Sequence, residues 1–202
     1  MQEMQALHQD LEDRFLSFNK VVAFNHNPDE VYSPRLYSVL QGASSQVISM
    51  MQLLTSELKL YKSQKQEKFH FYYKLLNSEG MLSKQIICPK KDTRRIMAPF
   101  QIYENETPKW WKKYNDSKHD LPKGAYQGTI GNVLGAMGAL AILHDIAEQA
   151  EKMNEPNMLL DGSKWVVYSD DIISNNARLK LKAESDFKSK IFFFLRHFFI
   201  TS

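Results

Sequence analysis

Lys112, Asn115 and His119 stand at i, i+3 and i+7 in the run Trp110-Trp111-Lys112-Lys113-Tyr114-Asn115-Asp116-Ser117-Lys118-His119-Asp120. At about 100° per residue they share one stripe of a helix, with Asp116 on its edge. A cation, an amide and an imidazole then project together. Histidine titrates near neutrality and suits proton transfer. Lysine can neutralise charge that develops on a phosphoryl oxygen, and an amide can fix the imidazole tautomer. A structural reading competes with this one. Trp110, Trp111 and Tyr114 would anchor a core, while Asn115 and His119 satisfy main-chain groups near a helix end, where a histidine also suits the helix dipole.

A second basic group, Pro89-Lys90-Lys91-Asp92-Thr93-Arg94-Arg95, sits in a segment with little helical periodicity. Its lysines and arginines could contact RNA phosphates, or form a solvated loop. Metal and phosphate-loop chemistry find less support. The six histidines include no pair at i, i+4 around a glutamate, and Cys88 is the only cysteine. A structural zinc site is therefore not expected, and neither is an intrachain disulfide. Neither glycine-rich phosphate signature is present. No cofactor is expected.

The elements that must position these groups are mostly helical. Met4, Leu7, Leu11, Phe15, Phe18 and Val22 repeat at helical spacing and predict an amphipathic helix over 4–22. Ser33-Pro34 is a start signal, because the serine caps an orphan amide and proline needs none. The helix it opens has no charged residue from Ser38 to Ser56, and reads as buried on more than one side. A short helix over 66–77 follows, carrying Phe69, Tyr72, Tyr73 and Leu76. Residues 78–107 read as irregular, with β-prone runs at 85–88 and 95–103. A connection of that length is uncommon in a compact domain and often has a task. Thr107-Pro108 then opens a helix of about three turns over 109–119.

A long helix is predicted over 127–154, with Gly131, Gly135 and Gly138 among larger apolar residues. Its low relief would let another element approach closely, within the monomer or across a dimer axis. His144-Asp145 on this helix could approach His119, or lie half exposed. Beyond Pro156, residues 158–173 carry hairpin-like signals. The tail is basic and then aromatic, and is expected to fold back on the bundle. The expected fold class is therefore mostly α: a bundle of four to five helices over 1–155, with a C-terminal appendage over 156–202.

The chain has 202 residues, 43% of them apolar and 24% charged. This is an ordinary globular composition and excludes wholesale disorder. The net charge of +3 is compatible with a nucleic-acid partner without requiring one. No secretion signal is read at the N-terminus, and no stretch is expected to insert stably in a membrane. A cytoplasmic location is expected.

Tyr114-Asn115-x-x-Lys118-His119-Asp120, preceded by Trp110-Trp111 and followed by the small-residue helix, resembles the HEPN-like helical proteins of prokaryotes. Tyr32-Ser33-Pro34 entering a long apolar helix is similar to the same group. The resemblance spans roughly residues 5–150. It implies a helical bundle, a homodimer, and a metal-independent endoribonuclease of a toxin–antitoxin or antiviral defence system, with an antitoxin or other protein partner. His119 matches the family histidine, and Asn115 loosely matches the polar position of the motif. Lys112 and Lys113 occupy the spacing of the family arginine, which this sequence lacks. The catalytic candidates are thus His119, Asn115 and Lys112, with Lys113, Lys118, Arg94 and Arg95 as substrate-binding groups. A non-catalytic helical interaction module is the alternative.

Overall fold

The Ser33 hydroxyl accepts a hydrogen bond from the Leu36 amide at 3.0 Å, and Pro34 opens the helix behind it. This is the capped start that Ser33-Pro34 encodes. A computed structural model describes residues 2–20, 28–57, 60, 68–77, 82–83, 85–89, 96–102, 107–118, 124–153 and 192–194. Most of these are helical: α1 (Gln2–Asn19), α2 (Pro34–Glu57), α3 (Phe69–Leu76), α4 (Lys109–Ser117) and α5 (Ile130–Met153). A single 3-10 turn, Ala125–Gln127, precedes α5. The expected helical bundle is present.

α2 and α5 form the centre, and α2 also carries α1 and α3 against it. Leu36, Leu40, Val47, Met50, Met51 and Leu54 of α2 are all fully buried. From Ile130 to Glu148, α5 is apolar and long enough to cross a membrane, although no such stretch is expected from the sequence. Most of that stretch is instead buried inside the bundle, as a helix apolar all round must be in a folded core. Thr129 starts α5 by accepting the Asn132 amide on its hydroxyl at 3.2 Å.

The glycines of α5 serve packing within the monomer. A methyl group placed on Gly135 would stand 2.8 Å from Cδ1 of Trp110, and one on Gly138 would collide with the Ile87 side chain. The Trp110 indole also donates to the Pro99 carbonyl at 2.7 Å. α4 therefore lies flat on α5 and is tied to the segment before it.

The two β-prone runs touch through one isolated bridge. Ile87 and Met97 exchange two main-chain hydrogen bonds, at 2.9 and 2.8 Å. Strand β1 (Ile87–Pro89) also pairs antiparallel with β2 (Phe192–Phe194), in the register Ile87 to Phe194 and Pro89 to Phe192. This part of the aromatic tail folds back on the bundle. The hairpin expected over 158–173 lies outside the described residues.

Candidate functional site

A cleft of about 710 Å³ opens between α2, α3 and α4. Its floor is the uncharged polar stripe of α2: Ser44, Ser45, Ser49 and Gln52, with Ile48 among them. This accounts for a feature that burial alone does not. The middle of α2 carries no charge, yet carries serines and glutamines that a dry core would exclude. Ser45 and Ser49 are exposed at the mouth of the cleft, Gln52 is half-buried and Ser44 is buried.

The facing wall comes from α3 and α4, through Phe69, Tyr72, Trp111 and Tyr114. Phe69 and Trp111 stack with ring centroids 4.5 Å apart and planes inclined by 19°. Trp111 and Tyr114 are tilted neighbours at 5.2 Å. Burial, and then the Tyr37 phenol, raise the Tyr114 pKa above its usual value, so this hydroxyl stays protonated. Lys68, His70, Thr107, Asn115 and Lys118 also line it. Among the described residues, the lining holds Lys68 and Lys118 and no aspartate or glutamate.

The sequence-predicted groups separate at this site. Asn115 and Lys118 face the cleft together. Lys112 does not line it. It reaches instead toward Asp116, with Nζ 3.6 Å from the carboxylate and both side chains about half exposed. The stripe on the cleft is therefore Trp111, Asn115 and Lys118, rotated from the Lys112–Asn115–His119 stripe. The reason is packing: Trp110 is buried against Gly135 and fixes the roll of α4. Lys113 lies on α4 outside the cleft lining. His119, Arg94 and Arg95 lie outside the described residues. Sequence reasoning missed Lys68, His70 and Ser44. The charge-free run of α2 was the available signal for the last of these.

A second polar group lies in the interior. His8 and Glu12 of α1 and His144 of α5 are fully buried, and Asp145 is nearly so. His8 Nε2 is 3.3 Å from Glu12 Oε1. The His8 and His144 rings meet edge to face, with centroids 5.1 Å apart. His144 is thus buried rather than half exposed, and the approach to His119 that sequence allowed lies outside the described residues. Burial lowers its pKa to about 3, assisted by His8 and the N-terminal ammonium and opposed by Glu12. This imidazole is neutral at physiological pH. Among the described residues, no set of three His, Cys, Asp or Glu side chains is arranged to hold a metal ion.

Comparison with known proteins gave no match: no family model, no curated protein and no solved structure is significantly similar to this chain.

Proposed function

We propose that this chain is an RNA-binding helical protein of HEPN-like character, acting as a homodimer in a prokaryotic defence or toxin–antitoxin setting, with the α2/α3/α4 cleft as its RNA site. One observation carries the reading. Among the described residues, the cleft combines hydroxyl and amide groups, an aromatic wall and two lysines, with no carboxylate in its lining. Ribose hydroxyls, base faces and phosphates are the chemistry that such a set complements. The volume is in the range that holds a nucleotide-sized group.

In the catalytic form of this reading, the RNA 2′-hydroxyl attacks the adjacent phosphorus. The bond to the 5′-oxygen then breaks, leaving a 2′,3′-cyclic phosphate and a 5′-hydroxyl. His119, next in sequence after Lys118, takes the 2′-proton, and His70 on α3 returns a proton to the departing oxygen. Lys118 neutralises charge on the phosphorane, a role the spacing had given to Lys112. No metal takes part.

Binding without cleavage is the second reading, and a specific observation favours it. The lysine at the spacing of the family arginine, Lys112, is engaged by Asp116 and stands outside the cleft lining. Single-stranded RNA incubated in EDTA with wild type and His119→Ala separates the two. The catalytic form expects cleavage that His119→Ala abolishes while RNA binding persists. Binding with no cleavage by either protein leaves the second reading, and no binding by either refutes both.

A further inference from the structure

Phe69 of α3 and Trp111 of α4 stack with ring centroids 4.5 Å apart, and Trp110 stands nearly perpendicular to both, 6.1 Å from Phe69 and 5.8 Å from Trp111. These three distances fix where Trp110 lies. A ring on the far side of Trp111 would stand much further from Phe69 than from Trp111. Trp110 is almost equidistant, so it flanks the stacked pair. Tyr114 is inclined to Trp111 by 55° and does not stack on it. Among the described residues, Trp111 therefore has a stacked ring on one face only. The indole is half-buried and lines the cleft, while Phe69 behind it is buried. The pair is a recessed aromatic platform, backed on one side and held at its flank.

We propose that Trp111 is the platform on which one unpaired RNA base stacks, and that the cleft thereby takes single strands in preference to duplex. The inference rests on the RNA reading above and adds which form of the strand the site accepts. A base inside a duplex has a neighbour on each face and cannot also lie on a protein ring. An unpaired base can be splayed out and stacked on an aromatic side chain. Every base has such a face, so a platform of this kind tolerates sequence. Asn115 and Lys118 follow Trp111 at i+4 and i+7 on the same stripe, about 6 and 10 Å along the axis of α4. A base on the indole thus leaves its sugar and phosphate beside an amide and an ammonium group. Lys68 and Lys118 are both exposed, so their phosphate contacts add affinity without sensing whether a base is present.

The test uses the full chain and fluorescence anisotropy. The probes are a labelled twelve-nucleotide RNA of mixed sequence, its duplex with the complementary strand, and an abasic strand of the same length. Wild type is expected to bind the single strand at least about tenfold more tightly than either the abasic strand or the duplex, within the range of one stacked base. Trp111→Leu keeps apolar bulk without a ring and should weaken single-strand binding about tenfold. Trp111→Phe keeps a smaller ring and should weaken it about threefold. Neither should change the affinity for the abasic strand or the salt slope, because the phosphate contacts remain. A free 5′-mononucleotide should displace the strand only at about 100-fold higher concentration, and equal potency would overturn an RNA strand as the source of the base. The wild-type comparisons do not depend on any variant folding.

Equal binding of abasic and base-bearing strands by wild type overturns the proposal and leaves RNA binding standing, and so does duplex bound as tightly as single strand. Single-strand affinity unchanged in Trp111→Leu overturns it as well. A loss in that variant shared equally by abasic and base-bearing strands would make the indole structural, with the same result. If no oligonucleotide binds, the RNA reading itself falls.

Discussion

Acid should loosen this bundle through one buried imidazole. His144 has a folded-state pKa of about 3, against an ordinary 6.5. Above pH 6.5 it is neutral in both folded and unfolded chains, and its protonation costs nothing. As pH falls below 6.5 the unfolded chain takes up a proton that the folded chain refuses. Stability is then lost progressively down to pH 3, with a slope of about 1.4 kcal/mol per pH unit. The full window of 6.5 to about 3 corresponds to about 5 kcal/mol, and by pH 4.5 about 3 kcal/mol is gone. Against a typical total of about 5–15 kcal/mol, that is a large share. Facing groups decide where the strain is released. His8 and Glu12 project from α1, and Asp145 and Glu148 belong to α5 itself. A charge on His144 would stand beside a second imidazole at the seam between α1 and α5. The amides of α1 should therefore lose hydrogen-exchange protection before those of α2.

The perturbation is His144→Leu, which removes the titrating group and fills similar space. Urea unfolding of both proteins at pH 7.5, 6.5, 5.5 and 4.5 gives stability against pH. Absolute stabilities will differ, since the variant also loses contacts that His144 makes, so the slopes carry the test. The wild-type curve should fall about 1.4 kcal/mol per pH unit more steeply than the variant's below pH 6. Parallel curves would show that His144 titrates alike in folded and unfolded chains, and the burial argument would be refuted.

Gly135→Ala should destabilise the bundle by up to about 2 kcal/mol. Its methyl group would crowd Trp110, whose indole is pinned by Pro99. The overpacking cost of roughly 1–3 kcal/mol exceeds the helix-propensity gain of about 1 kcal/mol. A lowered urea midpoint at unchanged m-value checks this. Lys118→Ala should weaken RNA binding and reduce the salt slope of log K by about one, the signature of one lost phosphate contact. Lys112→Ala should leave both unchanged, because that lysine is outside the cleft lining and engaged by Asp116. Titration of RNA binding at several salt concentrations distinguishes the two lysines.

Much of the secondary structure was legible in the chain. Ser33-Pro34 marks the start of α2, and Leu11 and Phe15 are buried as their spacing predicts, whereas Leu7 on the same stripe is half exposed and His8 and Glu12 are buried beside it. Ends were less legible. α4 stops at Ser117, short of the expected span over 109–119. Start signals also differed in strength. Ser33 makes its capping bond, whereas α4 begins behind Pro108 with no side-chain cap.

The site was legible only in part, and the division has a physical cause. Periodicity along α4 groups Lys112 with Asn115 as readily as it groups Asn115 with Lys118, since each pair is three residues apart. Which pair meets the cleft depends on the roll of α4, and that is set by Trp110 lying on Gly135, 25 positions away. The joining of Lys68 and His70 to this face, and of His8 to His144, likewise depends on packing between distant segments. Local sequence determined which segments become helices and which of their faces are apolar, because capping, propensity and periodicity act within a few residues. Only the tertiary structure decided which polar side chains share a cleft and which are sealed inside, because those outcomes follow from close packing between elements remote in the chain.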